Sequence, residues 1–267
     1  MKSNPFVMNQ LLALAGDRHQ KDTNASIARS LLQHFSDLPD LTIQDAADLA
    51  YVSAASISRF VRYLGYSGFS EFKYSCRETL GIETDYSGEV KKARKEDLQP
   101  IYERFTDQVV SNIQLAHQNL DIARLDRICQ AIQEADQTAI FGLEFSSLIG
   151  EHIQGRLARM GKLVSTSLEL DEQAEIARSL TKDSVVILIT MEGGYLYRNP
   201  EVMDILTKTG VYTVVLTISP HLKMLQSCDE MLVCGRDNYN TEARISLLYL
   251  AEMLLMHYSI SYFQKEY

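Results

Sequence analysis

The sequence predicts two domains: an all-α helix-turn-helix domain, then an α/β domain on a five-stranded parallel sheet in flavodoxin-like order. Three observations carry this. From Thr23 to about Leu80 the apolar periodicity is helical and short-stepped, with no strand of any length. Beyond residue 135 short apolar runs alternate with amphipathic segments, the rhythm of a parallel sheet covered by helices on both faces. Charge is unevenly divided: residues 1–100 hold 12 Lys and Arg against 13 Asp and Glu, whereas residues 101–267 hold 14 against 22. A chain of 267 residues suits two such domains. We place them at 1–80 and 101–267, with a linker at 81–100.

The opening MKSNPFVMNQLLALAG has one Lys and a five-residue apolar run. That is too short for a secretory signal and reads as an amphipathic helix. In 26–35, Ile27, Leu31 and Phe35 form one helical stripe, interrupted at Leu38-Pro39-Asp40. Thr42 caps a second helix with Asp45 three residues on. A third begins at Ser53 and a fourth near Ser70, separated by Gly65-Tyr66-Ser67-Gly68. Residues 81–100 have few large apolar side chains, a closing Pro and the charge cluster KKARKED, the composition of a linker.

A long helical stretch at 101–135 leads to the expected strands: Thr138–Phe141, Leu163–Ser167, Ser184–Thr190, Val211–Thr217 and Glu230–Cys234. Helices are expected between them, from Ser146 to Met160, at 171–180 and at 200–209. Ile245 to Phe263 is apolar but contains Glu252 and His257. A carboxylate near mid-membrane costs about 2.5–3.5 kcal/mol, so this is a packing helix and no membrane is expected as partner. Cys76, Cys129, Cys228 and Cys234 are far apart and form no CxxC pair. A disulfide-dense scaffold is excluded, no zinc cage is expected, and a reducing, cytoplasmic setting is expected.

Thr42–Gly65 has the spacing of two crossing helices. Ala47 stands ten residues before Ile57, small enough for a close crossing, with Val52 and Ile57 filling the space between. Ser53 is placed to cap the second helix, and the small first turn Ala54-Ala55-Ser56 suits approach to base edges in a major groove. Arg59 and Arg62 follow, with Lys73 and Arg77 on the next helix. From Ser53 to Arg77 the only acid is Glu71, so a basic patch lies inside an acidic chain.

VSAASISRFVRYLGYSGFSEFK resembles the recognition segment of the RpiR family, bacterial phosphosugar-responsive transcriptional regulators. The likeness is dense over Thr42–Leu80 and weaker over 120–260. It implies base or phosphate contacts to double-stranded operator DNA from Ser53, Ser56, Ser58 and Arg59, and a backbone contact from Lys73; the reading of the helix itself adds Ala54 and Arg62 to the DNA-facing set. Tyr51 departs from the pattern, standing where the turn usually has Gly. If that position is left-handed, Tyr costs about 1 kcal/mol there.

In a flavodoxin-like order, the loops after the first and third expected strands share one crevice. Gly142-Leu-Glu-Phe-Ser146-Ser147 opens a helix there, and a helix N-terminus with hydroxyls is an anion site. The second half resembles a SIS (sugar isomerase) domain, which implies a small carbohydrate-derived effector held by Gly142, Ser146, Ser147, Thr190 and Gly193. Glu144 and Glu192 stand where the family has Gly and Ser, Phe145 replaces a Ser, and Tyr195 replaces a Thr. One unit charge pair at 4 Å is worth about 4 kcal/mol at an effective dielectric near 20, so either the two carboxylates turn away or the ligand is not a simple phosphosugar, and a neutral sugar, an amine-bearing ligand or no ligand fits the charges better.

The chain has no HExxH, GxSxG or P-loop. Glu144, Glu192, His152 and His221 are available as bases, but nothing in their spacing singles one out. The expectation is a regulator of carbohydrate metabolism rather than an enzyme, without metal or cofactor. Its alternative is an isomerase-like enzyme, or a regulator whose effector site is lost. Reading a palindrome needs two heads, so a homodimer or homotetramer is expected, with Ile245–Tyr262 a candidate interface helix.

Overall fold

A computed structural model describes residues 7–16, 23–82 and 86–263. The chain divides into two compact units, Met1–Thr84 and Asp85–Tyr267.

The first unit is helical: α1 (Val7–Gly16), α2 (Thr23–Gln33), α3 (Ile43–Leu49), α4 (Ala54–Tyr63) and α5 (Phe69–Ile82). The expected stripe Ile27, Leu31 and Phe35 is buried, though α2 stops at Gln33 and Phe35 lies in the following turn. It joins Val7 and Leu11 of α1, Ala46 and Ala47 of α3, Ile57 and Phe60 of α4 and Phe72 of α5 in one core.

The second unit begins differently from the expected linker. Ser87 caps a short helix, α6 (Gly88–Lys92), by accepting from the Val90 N–H. Arg104 binds Glu89 at 2.7 Å. One 3₁₀ turn (Lys95–Asp97) then leads into α7 (Leu98–Gln118), so residues 86–100 belong to the second unit as helix and turn. The stretch at 101–135 is two helices, α7 and α8 (Ile122–Glu134), parted where Asp121 caps α8.

The remaining order is β1 (Thr138–Phe141), α9 (Phe145–Arg159), α10 (Leu170–Ser179), β2 (Val185–Ile189), α11 (Gly194–Arg198), α12 (Pro200–Thr209), β3 (Tyr212–Thr217), β4 (Glu230–Val233) and α13 (Glu242–Tyr262). The sheet is parallel, in the order β1-β2-β3-β4. Ile140, Ile187, Ile189, Val214 and Leu216 share a core with α8, α9 and α13. Alternation sends Phe141, Val186, Leu188 and Val215, also buried, to the other face.

The sheet has four strands, not five. Leu163–Ser167 makes a single parallel bridge, Ser165 with Ala139. Ser165 N–H donates to Thr138 O (2.8 Å) and Ile140 N–H to Ser165 O (2.9 Å). Side chains take the next acceptors. Thr166 Oγ1 donates to Ile140 O (2.9 Å), and Gln173 Nε2 donates to both Gly142 O (2.9 Å) and Ser167 O (2.6 Å). At the other end Leu163 is 83% exposed, with no packing to hold it flat. The bridge lies on the side of β1 away from β2, so the direction in which successive strands are added still reverses across β1, from Leu163–Ser167 on one side to β2 on the other. That reversal creates the crevice at the C-terminal ends of those strands.

Candidate nucleic-acid interface and ligand crevice

In the first unit both helix starts are capped as the sequence implies. Thr42 Oγ1 accepts from Asp45 N–H (3.2 Å) and Thr42 N–H donates to Asp45 Oδ2 (2.8 Å), a reciprocal capping box. The same Thr42 hydroxyl and amide hold the Asp45 carboxyl below its ordinary range. Val52 N–H donates to Ala47 O (2.9 Å), closing the turn between α3 and α4. Tyr51 within it has φ 54°, the left-handed geometry anticipated there, and is 95% exposed.

Ser53 Oγ accepts from Ser56 N–H (3.2 Å) and lies 3.0 Å from Ser56 Oγ, which in turn accepts from Arg59 (3.3 Å). These bonds line up Ser53, Ser56 and Arg59 along the start of α4. Arg59 and Arg62 are exposed, and Ser58 is half-buried. Ala54 packs against the core, so among the small residues of this turn it is Ala55 that faces solvent.

Lys73 Nζ donates to Leu41 O (2.7 Å), and Arg77 donates to Pro39 O (2.9 Å) and Asp40 (3.2 Å). Both cations therefore brace the turn that leads into α3. Sequence reasoning missed that role, and it missed the exposed ring of Tyr63; the only local signal was an aromatic residue at the polar end of an amphipathic helix.

In the second unit Gly142 follows β1, and a Cβ there would lie 3.0 Å from the main-chain carbon of Ser146. Only glycine lets α9 start so tightly against β1. Glu144 stands just before α9 at φ 53° and ψ −118°, and its side chain is half-buried. Ser146 and Ser147 are buried in the first turn, and Ser147 Oγ has no hydrogen-bond partner among the described residues. After β2, Thr190 is 2% exposed and its Oγ1 is likewise unpartnered. Glu192 is exposed. Gly193 has φ 87° and would bring a Cβ within 2.7 Å of Leu222 Cδ1.

Tyr195 is buried, and burial pushes its phenol well above the usual range. Two side chains that sequence reasoning missed shape the first loop. Gln173 holds its main chain, and Arg244 lies over the Phe145 ring, 5.3 Å from the centroid. Neither carries a local sequence signal. His152 binds Glu252 (2.6 Å) between α9 and α13, and His221 is exposed. Among the described residues no cluster of His, Cys, Asp and Glu is arranged to hold a metal ion, and no helix is long and apolar enough to cross a membrane.

A capped helix pair with an exposed basic face, on the same chain as a parallel α/β unit with a switch-point crevice, defines a helix-turn-helix protein with a separate ligand-binding type of fold. Residues 10–81 match the helix-turn-helix domain of the rpiR family, and the chain carries a domain of that family. Among solved structures, the NanR protein of Vibrio vulnificus, complexed with ManNAc-6P, is 22% identical with a TM-score of 0.54, covering 94% of this chain and 92% of that one. The sugar isomerase domain of an RpiR transcription factor from Sphaerobacter thermophilus is 17% identical with a TM-score of 0.54, covering 61% and 92%. Escherichia coli CFT073 c3406, in complex with A5P, is 17% identical with a TM-score of 0.51, covering 65% and 96%. The first unit is thus an rpiR-type helix-turn-helix region, and the second has the SIS-like α/β fold.

Proposed function

We propose that this chain is a sequence-specific transcriptional regulator of carbohydrate metabolism that reads DNA with the start of α4 and responds to a sugar derivative at the β1–β2 crevice. The observation that carries it is the hydrogen-bonded Ser53-Ser56-Arg59 row at the start of α4, within the residues that match the rpiR-family helix-turn-helix domain. Ser53, Ala55, Ser56, Arg59 and Arg62 face the major groove or its phosphates; Ser58 and Lys73 stand at its edge, and Ala54 lets the helix pack. In the crevice Gly142 and Gly193 bring main chain close, and Ser146, Ser147 and Thr190 offer hydroxyls to an oxygen-rich ligand. The unpartnered hydroxyls of Ser147 and Thr190 support this.

Glu192 is exposed and free to turn into water, which removes one of the two charges opposing a phosphate; Glu144 remains beside α9. The solved relatives hold ManNAc-6P and A5P, and a sugar phosphate is the effector class we assign. No catalytic residue is assigned, since His152 is engaged by Glu252 rather than presented by either crevice loop. The regulator acts in the cytoplasm as a homodimer or higher oligomer, its heads meeting half-sites about 34 Å apart or a multiple of that. Ile245, Leu248, Met256 and Ile260 on the exposed face of α13 support a self-association surface.

Fluorescence anisotropy with DNA from the chain's own upstream region tests this, run for wild type and Arg59→Ala with and without ManNAc-6P and A5P. Wild type binds with steep salt dependence, and Arg59→Ala binds about tenfold or more weakly, the range of one base-reading arginine. A sugar phosphate changes the wild-type affinity. Salt-insensitive or absent binding refutes the DNA reading, and indifference to both sugar phosphates refutes the effector class.

A further inference from the structure

Among the described residues of the second unit, two non-glycine residues have positive φ, and each stands at the position just before a helix: Glu144 before α9 and Thr241 before α13 (φ 69°, ψ 16°). The two helix starts meet. Arg244, in the first turn of α13, stacks over Phe145, the first residue of α9. In the same turn Glu242 is fully buried and accepts from Asn240 through its main-chain N–H (2.7 Å) and its Nδ2 (3.4 Å). Asn240 Oδ1 in turn accepts from the Ser87 N–H (2.8 Å). Ser87 caps α6, where the chain arriving from the first unit becomes part of the second.

The other end of this loop is fixed independently. Asn112, buried on α7, donates to Asp237 O (2.7 Å) and accepts from the N–H groups of Arg236 (3.0 Å) and Asp237 (3.3 Å). A Cβ at Gly235 would fall 2.6 Å from the Asn112 side chain, so the loop start cannot shift towards α7. Residues 238–241 are the part of the loop between that anchor and the first turn of α13. Within them Thr241 sits in a conformation that L-residues leave readily, a small gap for a bound ligand to overturn.

We propose that the first turn of α13, preceded by Thr241, relays the state of the crevice to Ser87, where the chain from the helix-turn-helix unit is fastened. A ligand seated on the Glu144–Ser147 loop displaces Phe145, Arg244 follows its ring, and the Asn240 hold on Ser87 changes. Both sites then bias one two-state element, the physical requirement for coupling between them. This rests on reading the crevice as an effector site, but its structural core does not need the effector.

Amide hydrogen exchange of the full chain, read by mass spectrometry over residues 87–92, provides the test. Phe145→Leu and Arg244→Met each speed exchange there at least fivefold, while the β2 core at 185–189 is unchanged. Asn240→Ala speeds it as much, and adding Phe145→Leu to Asn240→Ala changes it by less than twofold. Arg244→Lys, which keeps a cation over the ring, exchanges like wild type and so separates the relay from general loosening. Exchange at 87–92 that stays within twofold in Phe145→Leu and Arg244→Met overturns the relay, as does an Arg244→Lys effect as large as that of Arg244→Met. If the exchange pattern appears but operator binding ignores sugar phosphates, the functional reading fails and the relay stands.

Discussion

Tyr51 allows backbone geometry to be measured almost in isolation. Its ring is 95% exposed, so cutting the side chain back removes almost no buried surface, and φ 54° places the main chain where an L-residue is strained by about 1–2 kcal/mol. Tyr51→Gly relieves that strain, whereas Tyr51→Ala keeps it. At an exposed position with ordinary φ, glycine is the worse residue by about 0.4–1 kcal/mol, because it frees the unfolded chain. In the left-handed turn the strain, about 1–2 kcal/mol for an L-residue, outweighs this, and Tyr51→Gly should be more stable than Tyr51→Ala by a net of about 1 kcal/mol or less. For a unit of this size the upper figure is a rise of about 4–8 °C in midpoint. Calorimetry of the two full-length variants measures it, with urea unfolding as a second probe. An alanine variant as stable as the glycine variant would refute the assignment of left-handed strain to the turn before α4.

Two further outcomes follow from the second unit. Gln173→Leu strips the donor from Gly142 O and Ser167 O, and each buried carbonyl left without a partner costs about 1–3 kcal/mol, so the urea midpoint should fall by the equivalent of about 2–4 kcal/mol. A loss below about 0.5 kcal/mol would mean that other donors satisfy both carbonyls. Asp136 accepts from Ser184 Oγ, Thr181 Oγ1 and Gln137 N–H, and the Ser184 hydroxyl is the main cause holding its carboxyl below the ordinary 3.8. A lowered carboxyl stabilises the fold fully above its unfolded value and loses that contribution as pH falls through its folded value. Wild type should therefore exceed Asp136→Asn in stability at neutral pH, the gap closing below pH 3.8; a pH-independent gap in thermal midpoints would contradict it.

What the sequence made legible were features written within one turn. Thr42 and Ser53 are followed three residues later by the groups they cap, and the glycine missing from the turn announced the geometry of Tyr51. Leu163–Ser167 has the composition of a strand, and nothing within it shows that the Thr166 hydroxyl and a carboxamide from α10 will take the neighbouring carbonyls. Residues 86–100 lack the apolar side chains that mark a packed helix, yet polar contacts hold α6: the Ser87 cap, the Asn240 bond to Ser87 and the Glu89–Arg104 pair. Lys73 and Arg77 count as positive charge in any sequence tally. Whether such charge meets phosphate or a carbonyl depends on the turn at Pro39–Leu41, which packing places beside them.

The crevice residues divide the same way, and strain sharpens the division. Glycine would occupy positions 51, 144 and 241 at lower free energy, since each has positive φ. None of the three is glycine, so their side chains offer something that offsets strain of about 1–3 kcal/mol. Tyr51 contributes nothing to the core, which leaves the surface beside the start of α4 as the place where its ring can act. Glu144 puts a half-buried carboxylate at the start of α9, where it would weaken binding of the phosphate proposed for the crevice. Thr241 stands between the buried Glu242 and the Asn240 that holds Ser87. Each strained residue thus stands at or just before the start of a helix that the proposed function uses, and relieving them one at a time separates reading DNA, selecting a ligand and coupling the two.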